Sequence, residues 1–465
     1  MKLFDSLAGE LRDFKPREPG RVSIYVCGPT VQSEPHLGHI RSAVAYDLLV
    51  RWLRATGLEV TLVRNVTDID DKVLAAAQQS GEAWWQIAAR NEREFANYYR
   101  LAGVAQPTVE PRATGHLTQM IELIALLIER GHAYQATDGS GDVFFDTASW
   151  PTYGELTNQS LADLETEDSS EAASGKRQVQ DFALWKARKS SEPESASWPS
   201  PWGRGRPGWH IECSAMATYF LGESFDIHGG GLDLRFPHHE NELAQSRAAG
   251  HGFANYWLHN GLVTIAGQKM SKSIGNTVLA SDLFAKADAL TVRYYLLSSH
   301  YRSVLDYRET ALEESGSALQ RVHDFLDRAD RTLARTKFAE REAVSLPEAF
   351  IAELDDDLNL PAALAVLHET VREGNSALDE ERLREAHRYR SEVWAMIELL
   401  ALAPERQASG AAQRALSVLV GELIEQRQQA RAERNFEAAD AIRQRLAAAG
   451  VVLEDDNSET HWSLD

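Results

Sequence analysis

Residues 22–39 read VSIYVCGPTVQSEPHLGH. The β-branched and aromatic residues 22–26 end at Gly28 and Pro29, which predicts a buried strand followed by a loop. From His36 onward, apolar residues recur at the spacing of an amphipathic helix. A strand that turns into a helix in this way leaves backbone N–H groups free at the helix N-terminus, where phosphate groups bind. We therefore expect a nucleotide site at this turn.

Two histidines lie in the first turn of the predicted helix. His36 and His39 flank Gly38, which lets a flat nucleotide approach the backbone without meeting a Cβ atom. For this segment alone, a capped surface helix with two solvated histidines would be the better interpretation. A second segment, KMSKS at residues 269–273, follows an apolar run that ends near Ile265. Together, HLGH and KMSKS resemble the two signature motifs of class I aminoacyl-tRNA synthetases.

Length and composition place the chain among ordinary globular proteins. Its 465 residues allow two to four domains, and 43% of them are apolar and 25% charged. The net charge of −21 argues against indiscriminate binding of nucleic acid, so any RNA must find a local basic surface. We expect no membrane span and a cytoplasmic location. With Cys27 and Cys213 as the only cysteines, a disulfide scaffold is excluded, although one disulfide or two unrelated buried thiols remain possible.

Strand and helix patterns alternate on both sides of residues 132–208, which indicates an α/β fold with a Rossmann-type parallel sheet and an insertion. Within the insertion, residues 133–135 and 143–146 predict a hairpin, and 165–175 predict a loop. After residue 276 the pattern is helical without strands, which indicates a helix bundle. The predicted segments are 1–131 and 209–276 for the two halves of the catalytic domain, 132–208 for the insertion, 277–405 for the bundle and 406–465 for a small terminal domain.

Residues 236–242, FPHHENE, suggest part of a metal site. They place His238 and Glu242 four residues apart on one helix face, and with Cys27 and Cys213 these residues form a set that suits Zn²⁺. A His and a Glu at this spacing are more often a solvated helix face, and the two cysteines are too far apart in sequence for a zinc finger. The position of Cys27, at the end of the strand that leads to His36, favours the metal.

A run of glycines, Gly229–Gly231, follows a predicted strand at residues 225–228. His228 and the three glycines could form the oxyanion hole of an esterase, but the chain has no Gly-x-Ser-x-Gly motif. We expect instead a glycine turn beside a ligand.

Four further segments, residues 25–31, 65–72, 208–216 and 236–242, complete a resemblance to the cysteinyl-tRNA synthetase family that covers nearly the whole chain in family order. The resemblance implies one zinc per chain, held by Cys27, Cys213, His238 and Glu242, which takes the substrate thiolate as a further ligand. It implies that ATP, with Mg²⁺, activates L-cysteine as cysteinyl-adenylate, and that tRNA(Cys) then accepts the cysteine at its 3′ end. The family expectation is a monomer.

The resemblance also implies roles for individual residues. The catalytic residues would be His36, His39, Lys269 and Lys272, the last two on a loop. ATP would contact Pro29, His36, Gly38, His39 and Lys272. The amino acid would lie near Thr67, Trp209 and His228. One departure is visible, because residues 32–35, QSEP, stand where many members carry an aromatic residue and an aspartate.

Residues 434–443, RNFEAADAIR, with short strands predicted at 451–454 and 462–464, resemble the family's small anticodon-binding domain. The arginines of this region could also form a solvated helix face. Two other functions remain open. One is a ligase that joins cysteine to an amino-sugar inositol with the same core but no anticodon domain, and the other is a non-catalytic tRNA-binding paralogue.

Overall fold

The computed structural model describes residues 1–159, 175–270, 275–404, 410–455 and 460–464. Most of the loop predicted at residues 165–175 lies outside these ranges, and so does Lys272. The chain divides into two compact units, Met1–Ala403 and Pro404–Asp465, which are described separately below. The finer division into five segments stays a prediction.

Among the described residues, the strands are β1 (Lys2–Asp5), β2 (Glu10–Asp13), β3 (Arg21–Val26), β4 (Glu59–Arg64), β5 (Ala133–Gln135), β6 (Val143–Phe145), β7 (Phe182–Ala187), β8 (Gly205–Pro207), β9 (Ser224–Gly231), β10 (Phe253–Asn260), β11 (Val263–Ile265), β12 (Gln268–Lys269), β13 (Leu305–Tyr307), β14 (Val451–Asp455) and β15 (Thr460–Leu464). The α-helices are α1 (Leu37–Ala55), α2 (Asp71–Ser80), α3 (Trp84–Leu101), α4 (Leu117–Glu129), α5 (Trp209–Leu221), α6 (Glu240–Ala248), α7 (Ala280–Lys286), α8 (Ala289–Leu297), α9 (Glu309–Leu333), α10 (Glu348–Asp355), α11 (Leu360–Asp379), α12 (Leu383–Leu399), α13 (Gly410–Ala432) and α14 (Phe436–Ala448).

The central sheet of the first unit has the order β10-β9-β3-β4, and each neighbouring pair is parallel. Helix α1 connects β3 to β4 and buries the apolar positions that its sequence spacing predicts, including Leu37, Val44 and Trp52. Because β3 and β4 precede the insertion and β9 and β10 follow it, the sheet is assembled from two separate parts of the chain. The predicted α/β fold with an interrupted parallel sheet is confirmed.

The insertion forms its own antiparallel sheet in the order β5-β6-β7-β8. Its first two strands are the predicted hairpin, joined across residues 136–142. Its last strand, β8, leads through Gly208 directly into α5. The last strand of the insertion therefore connects directly to the helix that contains Cys213.

Three details of the sequence-based prediction are wrong. The glycines Gly229–Gly231 belong to strand β9 instead of a turn, and a Cβ atom added to Gly229 would lie 2.4 Å from the ring of Tyr46. Lys269 lies in the short strand β12 instead of the loop. A strand, β13, occurs after residue 276 and pairs in parallel with β11. Segments of two or three residues are too short to show periodicity, and β9 needs glycine because α1 packs closely on it.

A buried arginine connects the sheet domain to the helices that follow it. Arg293 of α8 donates to Asp47 Oδ2 of α1 at 2.6 Å and to the carbonyl oxygens of Ala102 and Leu400 at 2.9 and 2.6 Å. The Arg293 and Asp47 side chains are each 1% exposed. Three chain segments therefore share one buried cation, and none of them can move away without leaving a charge or a carbonyl group unpaired.

The second unit contains α13, α14 and the antiparallel pair β14-β15. Its buried apolar cluster consists of Val420, Ile424, Leu446 and Val451. The short strands predicted at the end of the chain are present. Across the described residues of both units, none of the helices has the length and apolar character required to cross a membrane.

Replacing Arg293 with methionine is expected to destabilise the first unit by about 3–5 kcal/mol, because the substitution leaves Asp47 and two carbonyl groups buried without this partner. The measurement is the midpoint of thermal unfolding. The matched control is Arg335→Met, at an exposed arginine after α9, which should leave the midpoint unchanged. Equal midpoints for the two variants would show that the Arg293 network does not hold the unit together.

Candidate active site and metal centre

A cavity of about 270 Å³ opens where the strands of the central sheet end. Its walls include Cys27 and Pro29 after β3, His36 and His39 at the start of α1, and Asn260 at the end of β10. Ligands of open parallel sheets bind at the carboxyl ends of the strands. The cavity therefore lies where the sequence predicts a nucleotide site.

The turn after β3 is fixed by close contact with the end of β4. The Cys27 backbone N–H donates to the Gly229 carbonyl at 2.9 Å, and the Gly28 N–H donates to Asn65 Oδ1 at 2.8 Å. A Cβ atom at Gly28 would lie 1.6 Å from the Asn65 carbonyl oxygen, so no other residue fits. This packing sets the direction of the Cys27 side chain.

The donor atoms of Cys27, Cys213, His238 and Glu242 all lie within 4.8 Å of one another, and all four residues are buried. Glu242 Oε1 is 3.1 Å from His238 Nε2 and 3.2 Å from Cys27 Sγ. Two thiols, an imidazole and a carboxylate are donors that suit Zn²⁺. We call these four residues the donor cluster. The donor types and their spacing both fit a zinc ion.

Burial acts against the charged form of every side chain in the donor cluster, and neighbouring groups reverse its effect only for Glu242. Burial, with the adjacent Cys213, raises the pKa of Cys27 well above its ordinary value, and burial also raises the pKa of Cys213. Burial lowers the pKa of His238 to about 4. For Glu242 burial acts to raise the pKa, but His228 and His238 outweigh it and the pKa is lowered. A bound cation would reverse the cost that burial imposes on the thiolates.

A second group of potential donors overlaps the first. It consists of Cys27, His228, His239 and Glu242, again with donor atoms within 4.8 Å. His228, which the sequence places near the amino acid, is fully buried, with Nε2 3.7 Å from Cys27 Sγ and 3.2 Å from Glu242 Oε2. It does not line the cavity, so the structure places it beside the donor cluster and away from the open space.

The two histidines of the HLGH segment stack on each other at the start of α1. Their ring centroids are 3.6 Å apart, and the His36 backbone N–H donates to His39 Nδ1 at 3.2 Å. Both residues line the cavity, as does Gly38. A Cβ atom at Gly38 would lie 3.2 Å from the His36 ring and 3.5 Å from Met270 Cε. The N-terminus of α1 therefore faces the cavity with its first turn kept open by glycine.

Of the other two residues predicted near the amino acid, one lines the cavity and one does not. Trp209 lines the cavity and stacks on His238, with ring centroids 4.2 Å apart. Thr67 is buried, pairs with Thr30 in an isolated parallel β-bridge, and donates from Oγ1 to Glu212 Oε2 at 2.8 Å. Burial raises the pKa of Glu212 well above its ordinary value.

Of the two predicted lysines, the structure describes only Lys269. Lys269 is exposed in β12 and does not line the cavity, whereas its neighbour Met270 does. Lys272 lies outside the described ranges. The assignment of both lysines to the site stays a prediction.

Sequence reasoning missed two residues close to this site. Lys72 lines the cavity, with Nζ 5.5 Å from the centroid of the Trp209 ring. Glu212 is fully buried one helical turn after Trp209. Both residues lie in segments that carried the family resemblance. The three-residue spacing of Trp209 and Glu212 indicates a shared helix face, but it does not show that Glu212 contacts Thr67.

Comparison with protein families matches three parts of the chain. Residues 13–317 match the tRNA synthetases class I (C) catalytic domain, residues 349–403 match the DALR domain, and residues 414–462 match the cysteinyl-tRNA ligase anticodon binding domain. The three matches follow one another in order along the chain.

Solved structures share the fold. A methionyl-tRNA synthetase of Mycobacterium tuberculosis, in complex with methionyl-adenylate, aligns with a TM-score of 0.59 at 16% identity, over 82% of this chain and 90% of that one. LeuRS of Agrobacterium radiobacter, in a ternary complex with tRNA and LeuAMS, aligns with a TM-score of 0.59 at 12% identity, over 84% of each chain. At these identities the likeness concerns the fold alone.

Curated relatives match over the full length. Proteins named cysteine--tRNA ligase from Clavibacter sepedonicus and from Leifsonia xyli subsp. xyli are each 57% identical over 100% of this chain and 99% of their own length. The cysteine--tRNA ligase of Kocuria rhizophila is 54% identical over the same shares. The chain therefore belongs to the cysteinyl-tRNA ligase family of class I aminoacyl-tRNA synthetases.

Proposed function

We propose that this protein attaches L-cysteine to the 3′ end of tRNA(Cys) in two steps, with cysteinyl-adenylate as the intermediate. The observation that carries the proposal is the continuity of the donor cluster with the cavity. Cys27 belongs to the cluster and also lines the cavity that begins at His36 and His39. The donor cluster, which would select the thiol, and the N-terminus of α1, which would bind phosphate, therefore both adjoin the same cavity. The full-length likeness to proteins named cysteine--tRNA ligase supports this pair of substrates.

The donor cluster would select the amino acid. Cys27, Cys213, His238 and Glu242 would hold one Zn²⁺, which when bound would take the substrate thiolate as a further ligand far better than the hydroxyl of serine. Trp209, stacked on His238, would close the side of the pocket around the short side chain. Selection by such a bond makes a separate hydrolytic editing domain unnecessary.

The N-terminus of α1 would bind ATP, which enters with Mg²⁺. In the first step, the cysteine carboxylate attacks the α-phosphate, which gives cysteinyl-adenylate and releases pyrophosphate. His36 and His39, at the start of α1, stabilise the charge that develops on the phosphate. Pro29 and Gly38 shape the wall against the nucleotide. We place Lys269 and Lys272 at the same phosphates, because Met270 between them reaches the cavity.

In the second step, the terminal ribose hydroxyl of the tRNA attacks the carbonyl carbon of the adenylate, and AMP leaves. Residues 414–462 would bind the anticodon, where unstacked bases contact aromatic and arginine side chains. Phe436 at the start of α14 is 62% exposed, and Arg434 stands two residues before it. The match to an anticodon-binding domain disfavours a cysteine ligase for amino-sugar inositols, and the retained His36 and His39 disfavour a non-catalytic paralogue.

Cys213→Ala is expected to remove the metal and the activity together. Wild-type protein should contain about one zinc per chain, and the variant almost none, with cysteine-dependent ATP–pyrophosphate exchange lost. Metal analysis and exchange are measured on the same preparations. His251→Ala, which alters a half-buried histidine that is not in the donor cluster, is the control and should keep both. Full zinc content in Cys213→Ala would show that the cluster is not the metal site.

His39→Ala is expected to lower kcat for ATP–pyrophosphate exchange by about 100-fold, the usual cost of losing one group that stabilises transition-state charge. Zinc content and KM for cysteine should stay unchanged, because His39 is not part of the donor cluster. His116→Ala, at a histidine that does not line the cavity, serves as the control. A wild-type kcat in His39→Ala would contradict the assigned role.

Removal of residues 404–465 is expected to separate the two steps. Exchange should persist, because the cavity and the donor cluster lie within Met1–Ala403. The kcat/KM for tRNA charging should fall on the order of 100-fold, since each lost base contact is worth about 1–3 kcal/mol. Parallel assays of exchange and charging on the truncated chain decide the matter. Loss of both activities would refute the assignment of this segment to anticodon binding.

A further inference from the structure

Glu212 is a buried carboxylate with one unoccupied oxygen. The residue is 0% exposed, and its Oε2 accepts a hydrogen bond from Thr67 Oγ1 at 2.8 Å. Within the described parts of the chain, nothing donates to its Oε1. A buried carboxylate oxygen without a partner is costly, so the site favours a hydrogen-bond donor that the protein itself does not supply.

The hydrogen bonds that lead to Glu212 run in one direction. The Gly28 backbone N–H donates to Asn65 Oδ1 at 2.8 Å, which fixes the orientation of the Asn65 amide. Asn65 Nδ2 then donates to Thr67 Oγ1 at 3.3 Å. Because a hydroxyl has a single hydrogen, and that hydrogen goes to Glu212, Thr67 can only accept a further hydrogen bond. Thr67 Oγ1 can therefore accept one further hydrogen bond, and Glu212 Oε1 has no donor among the described residues.

Neither acceptor lines the cavity itself, but each has a neighbour that does. On α5, Trp209 lines the cavity, Glu212 follows three residues later and Cys213 four residues later, so all three share one face of the helix. Thr67 pairs with Thr30, which also lines the cavity. In L-cysteine the thiol and the ammonium group are on adjacent carbons. An amino acid with its sulfur at the donor cluster must place its ammonium group close by.

The carboxylates that line the cavity are less suited to this cation. Among the described lining residues, the acidic ones are Asp47 and Asp233. Asp47 is already held by Arg51 and Arg293, at 2.7 and 2.6 Å. Asp233 is exposed, where water weakens its attraction for a substrate. Glu212 differs from both because it is fully buried and its Oε1 has no donor among the described residues.

We propose that Glu212 is a positioning residue for the substrate amine: it holds the Thr67 hydroxyl as an acceptor and supplies the negative charge that balances the α-ammonium group. The inference rests on the proposed function and specifies its ligand class, namely amines that carry a thiol two carbons away. Two residues of α5 then contribute to specificity for the substrate: Cys213 through the sulfur atom and Glu212 through the nitrogen atom.

The test compares three ligands of the full-length, metal-loaded protein. L-Cysteine has thiol, amine and carboxylate, cysteamine lacks the carboxylate, and 3-mercaptopropionate lacks the amine. Binding is measured as KM for cysteine in ATP–pyrophosphate exchange, as inhibition constants for the other two, and as thermal stabilisation by each ligand. Glu212→Gln should weaken the binding of cysteine and of cysteamine by roughly 10- to 100-fold, which is the range for a hydrogen bond to a charged group. The same substitution should leave the binding of 3-mercaptopropionate unchanged.

Two further variants separate the proposed role from a general structural one. Thr67→Val should reproduce the selective loss, and Thr67→Ser should restore amine binding. Glu223→Gln, at an exposed glutamate just after the same helix, should bind all three ligands as wild type does. If Glu212→Gln fails to fold, Thr67→Val and Thr67→Ser are compared for the binding of the same three ligands.

Equal weakening of all three ligands, or no weakening of any, would overturn the role assigned to Glu212. The failure of the proposed function has a different signature, namely wild-type protein that shows no cysteine-dependent exchange. In that case thermal stabilisation still reports whether amine-bearing thiols bind more tightly than 3-mercaptopropionate and whether Glu212→Gln removes the difference.

Discussion

The structure depends on bringing two thiols, an imidazole and a carboxylate together in a buried place without a protein cation among them. Their donor atoms lie within 4.8 Å of one another, and the residues come from the end of β3, from α5, from the turn before α6 and from α6 itself. Burial raises the pKa of both thiols and lowers that of His238, so without a cation these three side chains are driven toward their neutral forms. A bound zinc ion would favour the thiolates, and its binding free energy would then also stabilise the fold that assembles the cluster.

This constraint explains features that surround the site. Gly28 lets the turn after β3 press against Asn65, and Gly229 lets α1 pack on β9 through Tyr46, so that Cys27 and the N-terminus of α1 reach the same cavity. The insertion ends at α5 and therefore controls the position of Trp209, Glu212 and Cys213. In the proposed function, one end of the cavity would take the sulfur and nitrogen of the amino acid, and the other would take the phosphates of ATP. Adenylation would then depend mainly on positioning, because the amino-acid carboxylate between the two ends must reach the α-phosphate.

Much of this could be predicted from the sequence, because long periodic segments and short motifs leave clear patterns. The strand–turn–helix at residues 22–39 and the interrupted parallel sheet are present as expected, and the four residues of the donor cluster do converge. The predictions that were wrong or missing concern features that depend on tertiary contacts. Gly229–Gly231 form part of a strand because a helix packs on them, and β12 and β13 are too short to show a period. Glu212 was missed because its importance arises from Thr67, 145 residues away in sequence.

The central claim is that the donor cluster chooses cysteine and that the adjoining cavity activates it. The most direct measurement is ATP–pyrophosphate exchange by the full-length protein with L-cysteine or L-serine, before metal removal, after chelation and after zinc is returned. The account predicts exchange with cysteine and almost none with serine, loss of that exchange on chelation, and its recovery with zinc. Exchange that continues undiminished without metal, or that proceeds equally with serine, would contradict it.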